Sequence, residues 1–274
     1  MILTKPMPFK EAVASREVKR FLPTTLKARE LLKLAPEIRE RAVFSARVTN
    51  AQFLTRVQEE ITKLVTGVSP GPGQYTNPTT IRAGLKQLLE QLDYKPEEGK
   101  EGTIEDLSSD RRLDLITEMN ERDARGYGYW KQGQDAALIN EWPAQEFLRV
   151  YAREQERLDW PQRWVAAGGK VYEGRMIARK DDPVWVRLSI FGKPYPPFDF
   201  GSGMGVQDID REEAIRLGVI EPDAQITPQD RGFNDEVSAG FASADPEMRA
   251  AIEASMEGAF AFQGDVLTWA GGVE

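Results

Sequence analysis

Five aspartates, Asp181, Asp182, Asp199, Asp208 and Asp210, fall within thirty residues of one another, and carboxylates are the groups from which a hard-cation site is built. Their spacing fits no calcium loop, and Asp210 is placed to cap a helix, so the sequence assigns no metal site. Glu118, Glu121 and Asp123 recur at helical spacing and invite a reading as paired acid–base carboxylates. Arg111, Arg112, Arg122 and Arg125 are interspersed with them, which is the pattern of a salt-bridged helix face rather than of two carboxyls facing across a cleft. Gly201-x-Gly203-x-Gly205 has glycines at the spacing of a phosphate-cradling loop. Such a loop needs a strand before it and a helix after it. Here Val206–Ile209 follows and reads as a strand, and there is no Gly-Lys-Ser/Thr, so a flexible turn packed under aromatics is expected.

The chain has no histidine and no cysteine. Disulfides, thiolate nucleophiles and cysteine metal sites are thereby excluded, and the commonest general acid–base group is missing. Any catalysis would have to run on carboxylates, lysine, tyrosine or hydroxyls. Neither a catalytic set, nor a cofactor site, nor a metal site is assigned. Tyr127, Tyr129, Trp130, Trp142, Trp160 and Trp164 form an aromatic series that serves either to stack bases or to pack, and packing is the expectation. Arg175, Arg179, Lys180, Arg187 and Lys193 add positive charge near it and leave weak phosphate contact open.

The elements that must position these groups are legible in the pattern. Lys10–Phe21 reads as helical and stops at Pro23, and Leu26, Leu31, Leu34 and Ile38 continue at helical spacing with a kink at Pro36. Asn50 caps a stronger helix bearing Phe53, Leu54, Val57, Ile61, Leu64 and Val65, closed by Gly67. Residues 68–79 form a loop. Ile81, Leu85, Leu88, Leu89 and Leu92 mark a further helix that ends near Pro96. Residues 95–107 read as a solvated linker.

Ser108 or Ser109 then caps a helix carrying Leu113, Ile116 and Met119, which is expected to weaken at Gly126–Trp130. Phe147–Arg153 reads as a strand and Trp160–Ala167 as a helical turn. Lys170–Tyr172 and Met176–Arg179 are strands about the turn Glu173-Gly174. The apolar run Val184–Phe191 follows, and Pro194, Pro196 and Pro197 lead into the glycines. Asp210 with Glu213 starts a helix that ends at Gly218. The last 54 residues are acidic, with a helix over 246–256 and a loose end.

The expected fold class is α+β: kinked N-terminal helices over 1–94, the linker at 95–107, a central helix plus a small turn-rich β region over 108–220, and an acidic, partly helical tail over 221–274. The net charge of −8 is unevenly spread. Residues 1–66 hold 13 Lys/Arg against 7 Asp/Glu, and residues 205–274 hold 4 against 15. A basic head and an acidic tail suggest two surfaces with different partners. The longest apolar runs fall short of a membrane span, no secretory leader is apparent at the start, and retention in the cytoplasm is the expectation.

Two stretches resemble one family. Leu115-Ile116-Thr117-Glu118, followed by Arg122, Ala124, Gly126 and Gly128 up to Gly133, resembles the helix segment of the phage head-morphogenesis (Mu F-like) minor capsid proteins. Trp160 and Trp164, Gly168-Gly169-Lys170, Asp181-Asp182-Pro183 and Pro196-Pro197 through Val206 are similar to that family's β-rich ending. The likeness covers about residues 108–220. Many relatives follow the Pro-Pro pair with histidine and cysteines, where this chain has Phe198 to Gly205. A metal clip is therefore ruled out at that turn, and Phe198, Phe200 and Met204 are expected to hold it by packing. The resemblance implies a minor virion protein of a tailed phage, assembled in the host cytoplasm, with the portal or the major capsid protein as partner. Weak phosphate contacts to packaged DNA, no cofactor, no membrane and no catalytic residues complete that expectation. A phage-borne hydrolase or toxin, or a DNA-binding packaging factor, is the alternative.

Overall fold

The computed structural model describes residues 50–67, 77–153 and 156–229 continuously, with 12, 20–21, 42–43, 48, 238–240, 250, 260–263 and 266–269 besides. The chain divides into two compact units, one of Met1–Glu121 with Gly232–Glu274 and one of Arg122–Arg231. The division falls inside a helix and not in the 95–107 stretch. Most of the expected helices over 10–38 and 246–256 lie outside the described residues.

In the first unit, β1 (Arg20–Phe21) pairs in parallel with β2 (Ala42–Val43), so Arg20 and Phe21 end in a strand where a helix was expected. α1 (Ala51–Thr66) starts as the sequence predicts: Asn50 Oδ1 accepts the Phe53 N–H at 3.0 Å, and Gly67 closes it at φ 67°. Its stripe of Phe53, Leu54, Val57, Ile61 and Val65 is buried, while Leu64 stays half-buried. The nearly buried Glu60 is held by Arg56 at 3.0 Å and Lys63 at 3.1 Å. α2 (Pro78–Gln91) packs on α1 through Ile81, Leu85 and Leu89, behind a reciprocal cap between Asn77 and Thr80.

The stretch read as a linker is a run of turns with its own anchors. Asp106 accepts from the Gly102 and Ser108 N–H groups, both at 2.8 Å, and the Leu107 N–H donates to the Tyr94 hydroxyl. α3 (Asp110–Gln132) follows. Ser109 Oγ accepts the Arg112 N–H, and Arg82 and Lys86 of α2 pair with Asp114 and Asp110 in its first turns. The helix does not weaken at Gly126–Trp130 but continues to Gln132, because tertiary contacts use those residues, as shown below.

In the second unit, α4 (Leu138–Glu141) precedes β3 (Ala144–Arg149), which starts three residues earlier than its apolar pattern suggested. α5 (Trp160–Ala166), β4 (Lys170–Tyr172) and β5 (Arg175–Arg179) come next. The β4–β5 turn places Glu173 at φ 51° and Gly174 at φ 82°, both left-handed, as a two-residue hairpin requires. The Val184–Phe191 run forms the short helix α6 (Val184–Leu188) and a turn. The peptide joining Pro196 to Pro197 is cis, β6 spans Met204–Ile209, and α7 spans Arg211–Arg216 behind an Asp210 cap that accepts the Glu213 N–H at 2.8 Å.

The four strands form an antiparallel sheet in the order β4-β5-β3-β6. Alternation divides its side chains between two cores. One face carries Phe147, Ala178 and Met204 against Trp160, Trp164, Trp185 and Phe198. The Trp164 and Trp185 indole N–H groups donate to the carbonyls of Lys170 and Arg179, each at 2.8 Å, so the rings are buried without orphaning their polar atoms. The opposite face carries Ala144, Ile177 and Ile209 against Ala214, Ile220 and Ile226. The architecture is therefore mixed α+β. At the C-terminal end, the described residues contain a three-stranded antiparallel sheet in the order β7 (Ser238–Gly240), β9 (Val266–Trp269), β8 (Phe260–Gln263), where the sequence suggested a loose end.

Candidate binding groove

Within the second unit, α3 shows one stripe to open space. Arg122, Arg125, Tyr129 and Gln132 recur at helical spacing and line a cavity of about 640 Å³. Its other walls come from Pro194–Pro197, from Val150 and Tyr151 just past β3, and from Met204, Val206 and Asp208 of β6. Leu138 and Trp142 complete the rim.

Three tertiary contacts set the α3 side of this groove. A Cβ at Gly126 would stand 2.0 Å from the Pro196 carbonyl oxygen, so glycine lets the proline segment lie directly on the helix. Beside it, Tyr195 packs on Tyr127 and Trp130 at 5.7 Å between ring centroids. Lys193, almost wholly buried, pairs with Asp123 and lies 4.9 Å from the Tyr195 ring centre. These contacts explain why Gly126-Tyr127-Gly128-Tyr129-Trp130 stays helical. The neighbouring segment offsets a propensity loss of about 1 kcal/mol per glycine.

Exposure singles the groove out. Of the ten large apolar side chains that stand exposed among the described residues, five line it: Tyr129, Leu138, Trp142, Val150 and Tyr151. Tyr129 is 64% exposed although both of its chain neighbours are buried or helix-packed. Its charges are three cations against one carboxylate. The Arg122 guanidinium lies 3.9 Å over the Tyr151 ring. Lys180 is only 4% exposed, and its Nζ sits 3.1 Å from Asp208 Oδ1, which also accepts from Gln145 Nε2 at 2.8 Å. The single carboxylate is already tied to lysine, and the exposed aromatic and aliphatic side chains around the rim suit apolar contact.

The other residues singled out in the sequence are dispersed. Asp181 takes both N–H groups of Arg179 at 2.8 and 2.6 Å, and Asp182 accepts the Val184 N–H at the start of α6. Asp199 joins Arg157 and Arg163 at 2.7 and 2.8 Å, and Asp210 caps α7. Asp123 is engaged by Lys193. Gly203, at φ 70°, brings its Cα so close to the Tyr151 carbonyl that a Cβ would stand 2.4 Å from it, and the run then enters β6, not a helix. The glycines thus set a tight crossing of two chain segments.

Of the aromatic series, Trp160 and Trp164 are core, Tyr127 and Trp130 hold the proline segment, and Tyr129 and Trp142 reach the groove. Arg175 binds Glu146 and Glu213, both at 2.6 Å, and these hydrogen bonds raise its proton affinity further. Arg179, Lys180 and Lys193 also have carboxylate partners, and Arg187 stands exposed. Val150, Tyr151 and the pairing of Lys180 with Asp208 escaped the sequence reading. The spacing of Arg122, Arg125 and Tyr129 was the one signal present for the groove's α3 wall. No protein-family model, no curated protein and no solved structure matches this chain.

Proposed function

We propose that the chain is a minor structural or assembly protein of a tailed-phage head, associated with the portal or the capsid interior, and that it works by docking protein surfaces rather than by turning over a substrate. The observation that carries this reading is the groove of the second unit, where half of the exposed large apolar side chains among the described residues gather around one concavity. Concentrated apolar exposure of this kind marks an interaction surface. Aromatic and arginine side chains are the types that anchor protein contacts. The two stretches that resemble the head-morphogenesis proteins supply the biological setting: Leu115–Gly133 contributes most of α3, and Trp160–Val206 contributes β4, β5, the start of β6 and the Pro194–Pro197 wall.

The test is co-expression with the portal and major capsid proteins of the same phage. The chain should sediment with procapsids or with the portal oligomer, and the Tyr129→Ala, Trp142→Ala double variant should stay in the soluble fraction while keeping its fold. Absence of the parent chain from both assemblies would defeat the proposal.

A further inference from the structure

The groove holds a charge pair that keeps unused hydrogen-bonding capacity. Lys180 is almost wholly buried, and among the described residues Asp208 is its one partner, so an ammonium with several N–H donors is answered by a single carboxylate. Asp208 Oδ1 takes both the Lys180 contact at 3.1 Å and the Gln145 amide at 2.8 Å. Its Oδ2 has no partner among the described residues, and the side chain stands 45% exposed. A donor with N–H groups to spare therefore lies beside an acceptor with lone pairs to spare. Backbone contacts bring this pair near two exposed rings. The Lys180 N–H donates to the Pro143 carbonyl at 2.9 Å, next to Trp142, and a Cβ at Gly133, one turn past Tyr129, would stand 3.4 Å from Lys180 Nζ. Trp130, which also lines the groove, buries an indole N–H that has no acceptor among the described residues.

We infer that this site takes a neutral sugar ring, its C–H face against the exposed rings of Trp142 and Tyr129 and two neighbouring hydroxyls on Lys180 Nζ and Asp208 Oδ2. The inference goes beyond the docking reading and does not depend on it. Charge balance selects a neutral ligand: Arg122 and Arg125 already interact within the chain, and Lys180 and Asp208 neutralise each other. An anion arriving here meets Asp208 and a cation meets Lys180, each at the cost of crowding a like charge in a partly desolvated place. Hydroxyls suit the pair because each both donates and accepts, and neighbouring ring hydroxyls present both functions on one edge. A run of prolines, another occupant of aromatic-lined grooves, offers acceptors only and leaves the Asp208 carboxylate unanswered. The cavity of about 640 Å³ lies in the range of small-ligand sites, and the aromatic rings supply the apolar half of the contact.

The experiment titrates the full chain with neutral mono- and oligosaccharides by calorimetry, with tryptophan fluorescence of the parent in parallel. Sugar acids, amino sugars, nucleosides and a polyproline peptide are titrated in the same way. At least one neutral sugar should bind, with its acidic and amino counterparts about tenfold weaker or worse. Trp142→Ala, which removes an exposed ring and leaves the core intact, should weaken binding about tenfold. Asp208→Asn, which keeps the shape but not the charged acceptor, should weaken it about tenfold as well. Tighter binding of an oligosaccharide than of its single units identifies a glycan chain as the source, and equal binding a free sugar.

Failure of every neutral sugar to bind overturns the inference, as does tighter binding of the charged sugars, the nucleosides or the polyproline peptide. Binding that survives both Trp142→Ala and Asp208→Asn unchanged places the sugar elsewhere and overturns it too. Should Asp208→Asn fail to fold, Trp142→Ala decides the question together with Trp142→Phe, whose ring should restore most of the binding. A chain that enters procapsids yet binds no sugar loses this site while the assembly reading stands. A chain that binds sugar through Trp142 and Asp208 but never enters heads loses the assembly reading and keeps the site.

Discussion

Replacing Gly126 with alanine sets two effects of different size against each other. In a helix interior alanine is favoured over glycine by about 1 kcal/mol. The added Cβ, however, would stand 2.0 Å from the Pro196 carbonyl oxygen and 3.0 Å from its carbon, distances at which something must move. The obstacle is backbone between two prolines, and Tyr195 beside it is wedged against Tyr127 and Trp130. Overpacking of this kind costs about 1–3 kcal/mol, and a rigid backbone neighbour puts the cost in the upper part of that range. The net expectation is a loss of about 1–2 kcal/mol. Gly84 in α2 provides the contrast: the nearest atom to its Cβ would be Arg56 Nη2 at 3.9 Å, so Gly84→Ala should gain about 0.5–1 kcal/mol. Urea unfolding followed by tryptophan fluorescence is weighted to the second unit, which holds five of the six tryptophans, and far-ultraviolet circular dichroism follows the helices of both units, α2 with Gly84 included. If Gly126→Ala proved as stable as the parent while Gly84→Ala gained, the close approach of Pro196 to α3 would be wrong.

Four further outcomes are expected. Phe147→Ala, which removes the ring that touches Trp160, Trp164 and Phe198, should cost about 3–5 kcal/mol of the second unit's stability by urea titration. Asp210→Ala should cost about 1 kcal/mol by removing the α7 cap, with Asp210→Asn nearly neutral in the same titration. Burial of the Asp106 carboxyl opposes its ionisation, but hydrogen bonds from Ser108 and Gly102 outweigh that and hold it below its ordinary value of 3.8. Its stabilising contribution is therefore present above that value and lost as pH falls through the lower, folded-state value. The stability gap between parent and Asp106→Asn, measured by denaturation across pH, should be full at pH 7 and close in acid below the ordinary value. Tyr129→Ala should leave the unfolding midpoint unchanged within about 0.5 kcal/mol, because the ring is exposed, and should lower recovery with procapsids.

Local chemistry carried far into the observed fold. Asn50 and Gly67 bound α1, Ser109 and Asp210 begin α3 and α7, and Glu173-Gly174 turns β4 into β5. Each of these depends on groups within four residues of one another, so each was readable from type and spacing. The α+β class followed from the same signals. Where the reading differed, distant residues decided. Gly126–Trp130 looks like a helix end by propensity, yet Pro196 and Tyr195, some seventy positions further on, make it a packed helical surface.

The carboxylates that crowd the sequence near Asp181 and Asp208 are drawn to separate cations by sheet register and loop path. The groove is of the same kind. Arg122, Tyr129, Tyr151, Lys180 and Val206 come from four segments with no shared sequence period, and they meet because antiparallel pairing of β3 with β5 and β6 places those segments side by side. Composition alone showed that imidazole and thiol chemistry are closed to this chain. Which aromatic rings are sealed in the core and which stand exposed was settled only by packing, since burial is a property of neighbours and not of the residue itself.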